Sequence, residues 1–171
     1  QNGAANNRIE GNLISGQQVR GVYLSYAGVG NTIHDNRIGI NAAGTAWVST
    51  ATNPGIRVDN SPSTVITQNW IARRSVGISI QSSNSVVQGN RIGTDMAETA
   101  NWGANTHSIY ISGHNNLIGG TQAGQGNIIA NSNTSNVNAG AINIFGGQGN
   151  AVVGNRIWGT GGPGVGIDLA G

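Results

Sequence analysis

One short pattern, an asparagine followed after one variable residue by isoleucine, recurs throughout the chain. Six of its copies follow one another at the spacing of a repeat: Asn12/Ile14, Asn36/Ile38, Asn69/Ile71, Asn90/Ile92, Asn127/Ile129 and Asn155/Ile157. Successive asparagines are 24, 33, 21, 37 and 28 residues apart. A unit of this length, extended in places by insertions, is typical of a solenoid whose copies stack on one another.

Two further sets of apolar residues recur in step with this pattern. One precedes the asparagines, at Ile9, Ile33, Ile66, Val87, Ile118 and Val152. The other alternates with variable residues, at Val22/Leu24, Ile56/Val58, Ile78/Ile80, Ile109/Ile111, Ile142/Ile144 and Ile167/Leu169. Alternation with a period of two and β-branched residues favour strands, and the glycines and asparagines between them favour bends. We therefore predict an all-β fold: one right-handed parallel β-helix domain over residues 1–171, with about six rungs of three short strands.

The phrases "NNLIGG", "GNIIANS", "GNRIGTD" and "GVGIDLAG" resemble the right-handed parallel β-helix repeat of secreted and cell-surface bacterial proteins with pectate-lyase-like architecture. The resemblance covers essentially the whole chain. It implies an extracellular or cell-surface location. It does not select one function, because such proteins include polysaccharide lyases, epimerases, hydrolases, phage tailspikes and adhesins.

The charges exclude some functions. The chain has eight arginines, no lysine and a formal net charge of +2, which is too little positive charge for a nucleic-acid-binding surface. It has no cysteine, so thiolate metal sites are excluded, and the three histidines form no recognisable metal motif. No apolar run is long enough to span a bilayer. We expect no cofactor, no metal and no nucleic-acid partner.

The asparagine of the repeat precedes the inward isoleucine by two residues, so it is expected to face inward at a bend. Asparagines at the same bend of successive rungs can hydrogen-bond to one another and form a ladder. We interpret the asparagines as structural, so that function lies in the residues that vary between rungs.

The variable residue between asparagine and isoleucine faces outward. This column contains Leu13, Arg37, Trp70, Arg91, Ile128 and Arg156. Arg37, Trp70 and Arg91 are therefore neighbours, and they form either a cation–π stack that covers the sheet or a patch that binds a sugar. A second outward column contains Tyr23, Arg57, Ser79, Tyr110, Asn143 and Asp168. Its tyrosines, Tyr23 and Tyr110, are candidate contacts for a chain-like ligand, and ordinary solvated surface is the alternative.

Two similar insertions follow Ile38 and Ile92, and they place Trp47 close to Trp102 in the alignment. Since they lie two rungs apart, they are expected to project from the same edge, with Trp158 following two rungs later. This row of tryptophans is either a platform for sugar stacking or a set of apolar anchors that cover the loops.

The best acid/base set in the sequence is near its beginning. The predicted register places Glu10 beside His34 on the neighbouring rung, with Asp35 next in sequence. Glycoside hydrolysis needs two suitably spaced carboxyl groups, and the chain has only six acidic residues. The aspartate and calcium-binding clusters of β-helix pectin hydrolases and lyases have no counterpart here.

These observations leave two classes of function. The first is a non-catalytic secreted or cell-surface scaffold that binds glycans, assembles end to end with copies of itself, or both. The second is a carbohydrate-active enzyme (a polysaccharide lyase, hydrolase or epimerase) or a fragment of one. Neither end shows an amphipathic capping helix, so we expect the chain to be a segment of a longer protein or a stacking unit.

Overall fold

The structure, a computed structural model, describes residues 3–48, 52–104, 106–132, 140–161 and 164–169. These ranges contain 18 strands and no helix, and hence no helix that is long and apolar enough to cross a membrane. In chain order the strands are β1 (Arg8–Glu10), β2 (Leu13–Ile14), β3 (Val22–Ser25), β4 (Thr32–His34), β5 (Arg37–Ile38), β6 (Ile56–Asp59), β7 (Val65–Thr67), β8 (Trp70–Ile71), β9 (Val76–Gln81), β10 (Val86–Gln88), β11 (Arg91–Ile92), β12 (His107–Ile111), β13 (Leu117–Gly119), β14 (Ile128–Ala130), β15 (Gly140–Ile144), β16 (Ala151–Val153), β17 (Arg156–Trp158) and β18 (Val165–Leu169).

Every third strand belongs to the same sheet, so the chain winds through three sheets once per rung. Sheet A is β1-β4-β7-β10-β13-β16, sheet B is β2-β5-β8-β11-β14-β17, and sheet C is β3-β6-β9-β12-β15-β18. All neighbouring strands in the three sheets are parallel, and Ile38 pairs with Ile71, which pairs with Ile92. The predicted parallel β-helix of six rungs is confirmed, together with its register.

The inward isoleucines and valines form one continuous core inside the coil. In the middle rungs residues such as Ile71, Ile92 and Ile109 are at most 1% exposed. Burying each such side chain contributes roughly 1.5–3 kcal/mol. In the first and last rungs the equivalent residues, for example Ile9 and Ile157, are only partly buried.

The repeated asparagines form an unbroken ladder at the bend between sheets A and B. Each side-chain amide donates from Nδ2 to Oδ1 of the asparagine on the next rung, at distances of 2.8–3.0 Å. The same Oδ1 also accepts the backbone N–H of the preceding asparagine. The ladder therefore satisfies backbone groups that the bend removes from the sheets.

A second column of polar residues lies at the bend between sheets C and A. It runs from Asn7 through Asn31, Thr64, Ser85 and Asn116 to Asn150. Amide-to-amide hydrogen bonds occur only toward its ends, from Asn7 to Asn31 and from Asn116 to Asn150. Asn7, Asn31 and Asn116 also precede isoleucine by two residues, but this column was not predicted, because Thr64 and Ser85 interrupt the pattern.

Candidate functional site

The outward column of sheet B is the most distinctive surface of the molecule. Arg37 pairs with Trp70 and Trp70 with Arg91, so the three predicted neighbours do lie on consecutive rungs. The next two positions are Ile128 and Arg156. The Arg37 guanidinium lies 5.9 Å from the centre of the Trp70 ring, at the outer limit of a cation–π contact.

Trp70 is nevertheless covered. Its ring is stacked on Trp102 with 5.7 Å between ring centres, and the two side chains are 8% and 5% exposed. The indole Nε1–H of Trp70 donates to the carbonyl oxygen of Thr94 at 2.7 Å. Together with Ile40 and Ala72 these rings form a small apolar cluster outside the coil. Trp70 and Trp102 therefore anchor the insertions to sheet B, as the alternative of apolar loop anchors predicts.

The two insertions begin with the same turn. Oδ1 of Asn41 accepts the N–H groups of Thr45 and Ala46, and Oδ1 of Asp95 accepts those of Thr99 and Ala100. These backbone bonds, that of Ala100 first, hold the pKa of Asp95 below its usual value.

The hydrogen-bond pattern fixes which residues of the two turns correspond. Val48 donates to Gly39 in the way that Trp102 donates to Gly93. Trp102 therefore corresponds to Val48, and Trp47 corresponds to Asn101, which agrees with the predicted alignment, in which Trp47 is close to Trp102.

Trp47 and Trp158 occupy different surroundings from Trp102. Trp47 is 38% exposed, and the Arg73 guanidinium lies 4.6 Å from the centre of its ring. Trp158 is half-buried, with the Arg156 guanidinium 4.7 Å from its ring centre. Both rings therefore already have a cation against one face.

A groove of about 380 Å³ runs over the outward column of sheet B. Its lining comes from Asp35, Asn36, Arg37, Gln68, Asn69, Trp70, Gly89, Arg91, Met96, Gly124, Gly126 and Ile128. Met96, which is 66% exposed, supplies one wall from the second insertion. Gly124 supplies part of the other, because the turn between β13 and β14 folds back so that Gln125 accepts the N–H of Gly89. Neither wall was predicted from the sequence.

A bridged pair of arginines lies beside the groove, which Arg91 itself lines. Glu98 contacts Arg91, with 3.3 Å between Oε1 and Nη1, and its other carboxylate oxygen contacts Arg156. Arg91 also donates to the carbonyl oxygen of Asp95 at 3.1 Å. Burial lowers the pKa of Arg91, and the negative charge of Asp95 partly offsets this effect. Arg37 is bound more loosely: it is exposed and donates only to the carbonyl of Ala42 among the hydrogen bonds described.

The second outward column, on sheet C, has the predicted register. The Tyr23 hydroxyl donates to Asp59 at 3.0 Å, and the Arg20 guanidinium lies 4.4 Å from its ring centre. Tyr110 is stacked on Phe145 with 5.9 Å between ring centres, and burial raises its pKa. The predicted ligand-binding tyrosines thus belong to two separate clusters, and neither lines the groove.

The three candidate catalytic residues lie at the N-terminal end of sheet A and at its bend toward sheet B. Glu10 Oε1 is 3.9 Å from Nε2 of His34, as the register predicted. The other ring nitrogen, Nδ1, is 2.9 Å from the hydroxyl oxygen of Thr67. Glu10 is also bound by Arg8, while Asp35 is exposed and lines the groove. The sequence did not indicate Thr67, which a β-helix register brings beside His34 from 33 residues away.

Among the described residues no three histidine, aspartate or glutamate side chains are grouped to hold a metal ion. Comparisons with models of protein families, with curated proteins and with solved structures found no match.

Proposed function

We propose that the protein is a non-catalytic β-helix scaffold that binds carbohydrate chains in the groove of sheet B. The observation that carries the proposal is the groove itself, with Arg37, Trp70, Arg91 and Ile128 along its floor. Because successive rungs are about 4.7–4.9 Å apart, the floor offers contacts at regular intervals, which suits a ligand that also repeats.

The chemistry of the groove supports a sugar ligand. Sugars combine hydroxyl groups with apolar ring faces, and binding sites generally combine apolar surface with a few placed polar groups. The exposed Arg37 and the Gln68 amide supply hydrogen-bond donors, and Met96 and Ile128 supply apolar surface. Trp70, although only 8% exposed, also lines the groove.

The acidic residues favour binding over hydrolysis. Asp35 is the one carboxylate among the described residues that line the groove. Hydrolysis of a glycosidic bond usually employs a pair of carboxyl groups on either side of the bond. Glu98, on the second insertion, is bound by two arginines.

A glycan-array screen followed by calorimetry with the glycans that bind tests this proposal. We expect Arg37→Ala and Met96→Ser to weaken binding at least fivefold, because both side chains line the groove and make few other contacts. Arg8→Ala, a matched change on sheet A, should leave the affinity unchanged. Equal affinities for all four proteins would contradict the assignment of the groove.

The alternative, a carbohydrate-active enzyme, is supported by the position of His34 between Glu10 and Thr67. An imidazole with a carboxylate near one nitrogen and a hydroxyl on the other can act as a general acid or base. Reducing-sugar and ultraviolet-absorbance assays on the bound glycans separate the two proposals. Turnover that His34→Ala abolishes would replace the scaffold proposal with the enzymatic one.

An extracellular or cell-surface location and end-to-end association remain part of the proposal. The support for association is the exposed apolar side chains on β18, including Ile167 and Leu169. Parallel strands with unpaired edges can add a further strand from another chain.

A further inference from the structure

Arg74 is a completely buried arginine without an acidic partner. It lies in the turn between β8 and β9, and its side chain is the largest of those that are fully buried. All six acidic residues of the chain fall within the described ranges, and none of them forms an ion pair with Arg74. A buried charge normally requires a partner of opposite sign.

The side chain reaches from the third rung toward the first. Its Nη1 donates to the carbonyl oxygens of Gln17 at 3.2 Å and Val19 at 3.5 Å. On the way it passes two glycines of the second rung: a Cβ atom on Gly39 would lie 3.3 Å from Nε, and one on Gly55 would lie 3.4 Å from Cγ. The absence of a side chain at Gly39 and Gly55 thus leaves the space through which the Arg74 side chain passes.

The other two nitrogens, Nε and Nη2, are buried and have no hydrogen-bond acceptor. They lie on one edge of the planar guanidinium, the edge that binds the two oxygens of a carboxylate side by side. Burial lowers the pKa of Arg74, but an arginine in a protein stays protonated. The free edge therefore carries two donors and an uncompensated positive charge.

We propose that Arg74 is the centre of a buried anion site, in which a small monovalent anion accepts hydrogen bonds from Nε and Nη2. The two donors on this edge match the two oxygens of a carboxylate such as formate, and a halide carries the same charge. The turn at residues 16–20 is the cover of the site, because its carbonyls hold Nη1. Val19 in this turn is 53% exposed, so a local displacement of the turn admits the anion. This site is separate from the groove and does not depend on carbohydrate binding.

Thermal unfolding of the full chain in sodium formate or sodium bromide tests the proposal, with sodium gluconate keeping the ionic strength constant. We expect the Tm of the wild type to rise with the logarithm of the anion concentration above its Kd, by roughly 3–6 °C once the anion exceeds its Kd about tenfold. Arg74→Met should lose this rise, and Arg73→Met, the same change on the neighbouring arginine, should keep it. The difference between formate and bromide identifies which anion the site prefers.

Replacing a buried charge by an apolar side chain of similar length is often tolerated, so Arg74→Met is expected to fold. A second measurement decides the matter if it does not: crystals soaked in bromide should show an anomalous peak within hydrogen-bond distance of Nε and Nη2. No peak at Arg74, or the same rise in Tm for the wild type and Arg74→Met, would overturn the proposal.

Discussion

Replacing Asn90 by alanine should destabilise the protein far more than the same change at the end of the ladder. The Asn90 side chain is fully buried, and its amide has three acceptors around the two Nδ2 hydrogens and two donors to Oδ1. It donates to Asn127 at 2.9 Å, to the Ile66 carbonyl at 2.9 Å and to the Gln88 carbonyl at 3.2 Å. It accepts the backbone N–H and the side-chain N–H of Asn69, both at 3.0 Å.

The magnitude follows from what the substitution leaves unpaired. The backbone N–H of Asn69 loses its acceptor in a buried position, which costs about 1–3 kcal/mol, and the other lost bonds cost on the order of 1 kcal/mol each. We expect a total of about 3–5 kcal/mol, since some acceptors keep a second donor. For a domain of this size the Tm should fall on the order of 10 °C.

Asn12→Ala is the matched control. Asn12 is exposed, and its side chain donates to Asn36 and to the Glu10 carbonyl without receiving a described hydrogen bond. Removing the Asn12 side chain should lower the free energy of unfolding by only about 0.5–1 kcal/mol, the net contribution of a typical hydrogen bond. Urea unfolding followed by far-UV circular dichroism measures both variants. Asn90→Ala as stable as Asn12→Ala would refute the claim that the ladder satisfies buried backbone groups.

Three further predictions concern the turn, the core and assembly. The lowered pKa of Asp95 means that its contribution to stability is present above about pH 4 and is lost as the pH falls through the lowered value. Asp95→Asn, which introduces the residue found at the equivalent position 41, should remove this dependence of stability on pH. The difference in Tm between the wild type and Asp95→Asn should therefore shrink from pH 6 to pH 3, and a constant difference would contradict the role of Asp95. Ile92→Ala should lower the free energy of unfolding, measured with urea, by about 2–5 kcal/mol, whereas Leu13→Ala should lower it by less than about 1 kcal/mol. Similar losses would contradict the assignment of Ile92 to the inward face of sheet B and of Leu13 to its outward face. Light scattering should show a mass that rises with concentration and falls for Leu169→Asp, and a monomer at every concentration would exclude end-to-end association.

The repeated asparagine and isoleucine positions sufficed to predict the strands, their register and the ladder. Each of these features depends on a period of two within a strand and on identical residues at the same bend. Adding residues to one bend does not shift the strands that follow, because an insertion such as the one after Ile38 lies between strands of two different sheets, β5 and β6. The register from Ile38 to Ile71 is therefore correct despite a step of 33 residues.

The walls of the groove could not be predicted in the same way. Met96 and Gly124 lie on insertions of different length, and where an insertion folds depends on contacts that have no sequence period. Trp102 illustrates this limit: its ring is buried on Trp70, whereas Trp47, close to it in the alignment, is 38% exposed. The burial of Arg74 could not be predicted either, because nothing in the sequence of the adjacent pair distinguishes Arg73, at the surface, from the buried Arg74.

The most direct test of the account is a methyl-labelled NMR experiment on the isoleucines of sheet B. The stacked rungs place Ile71 between Ile38 and Ile92, with neighbouring strands about 4.8 Å apart. We predict strong nuclear Overhauser effects from the Ile71 methyl groups to those of both neighbours. If Ile71 shows contacts to neither residue, the rungs are not stacked in this register, and the groove assembled from Arg37, Trp70 and Arg91 does not exist.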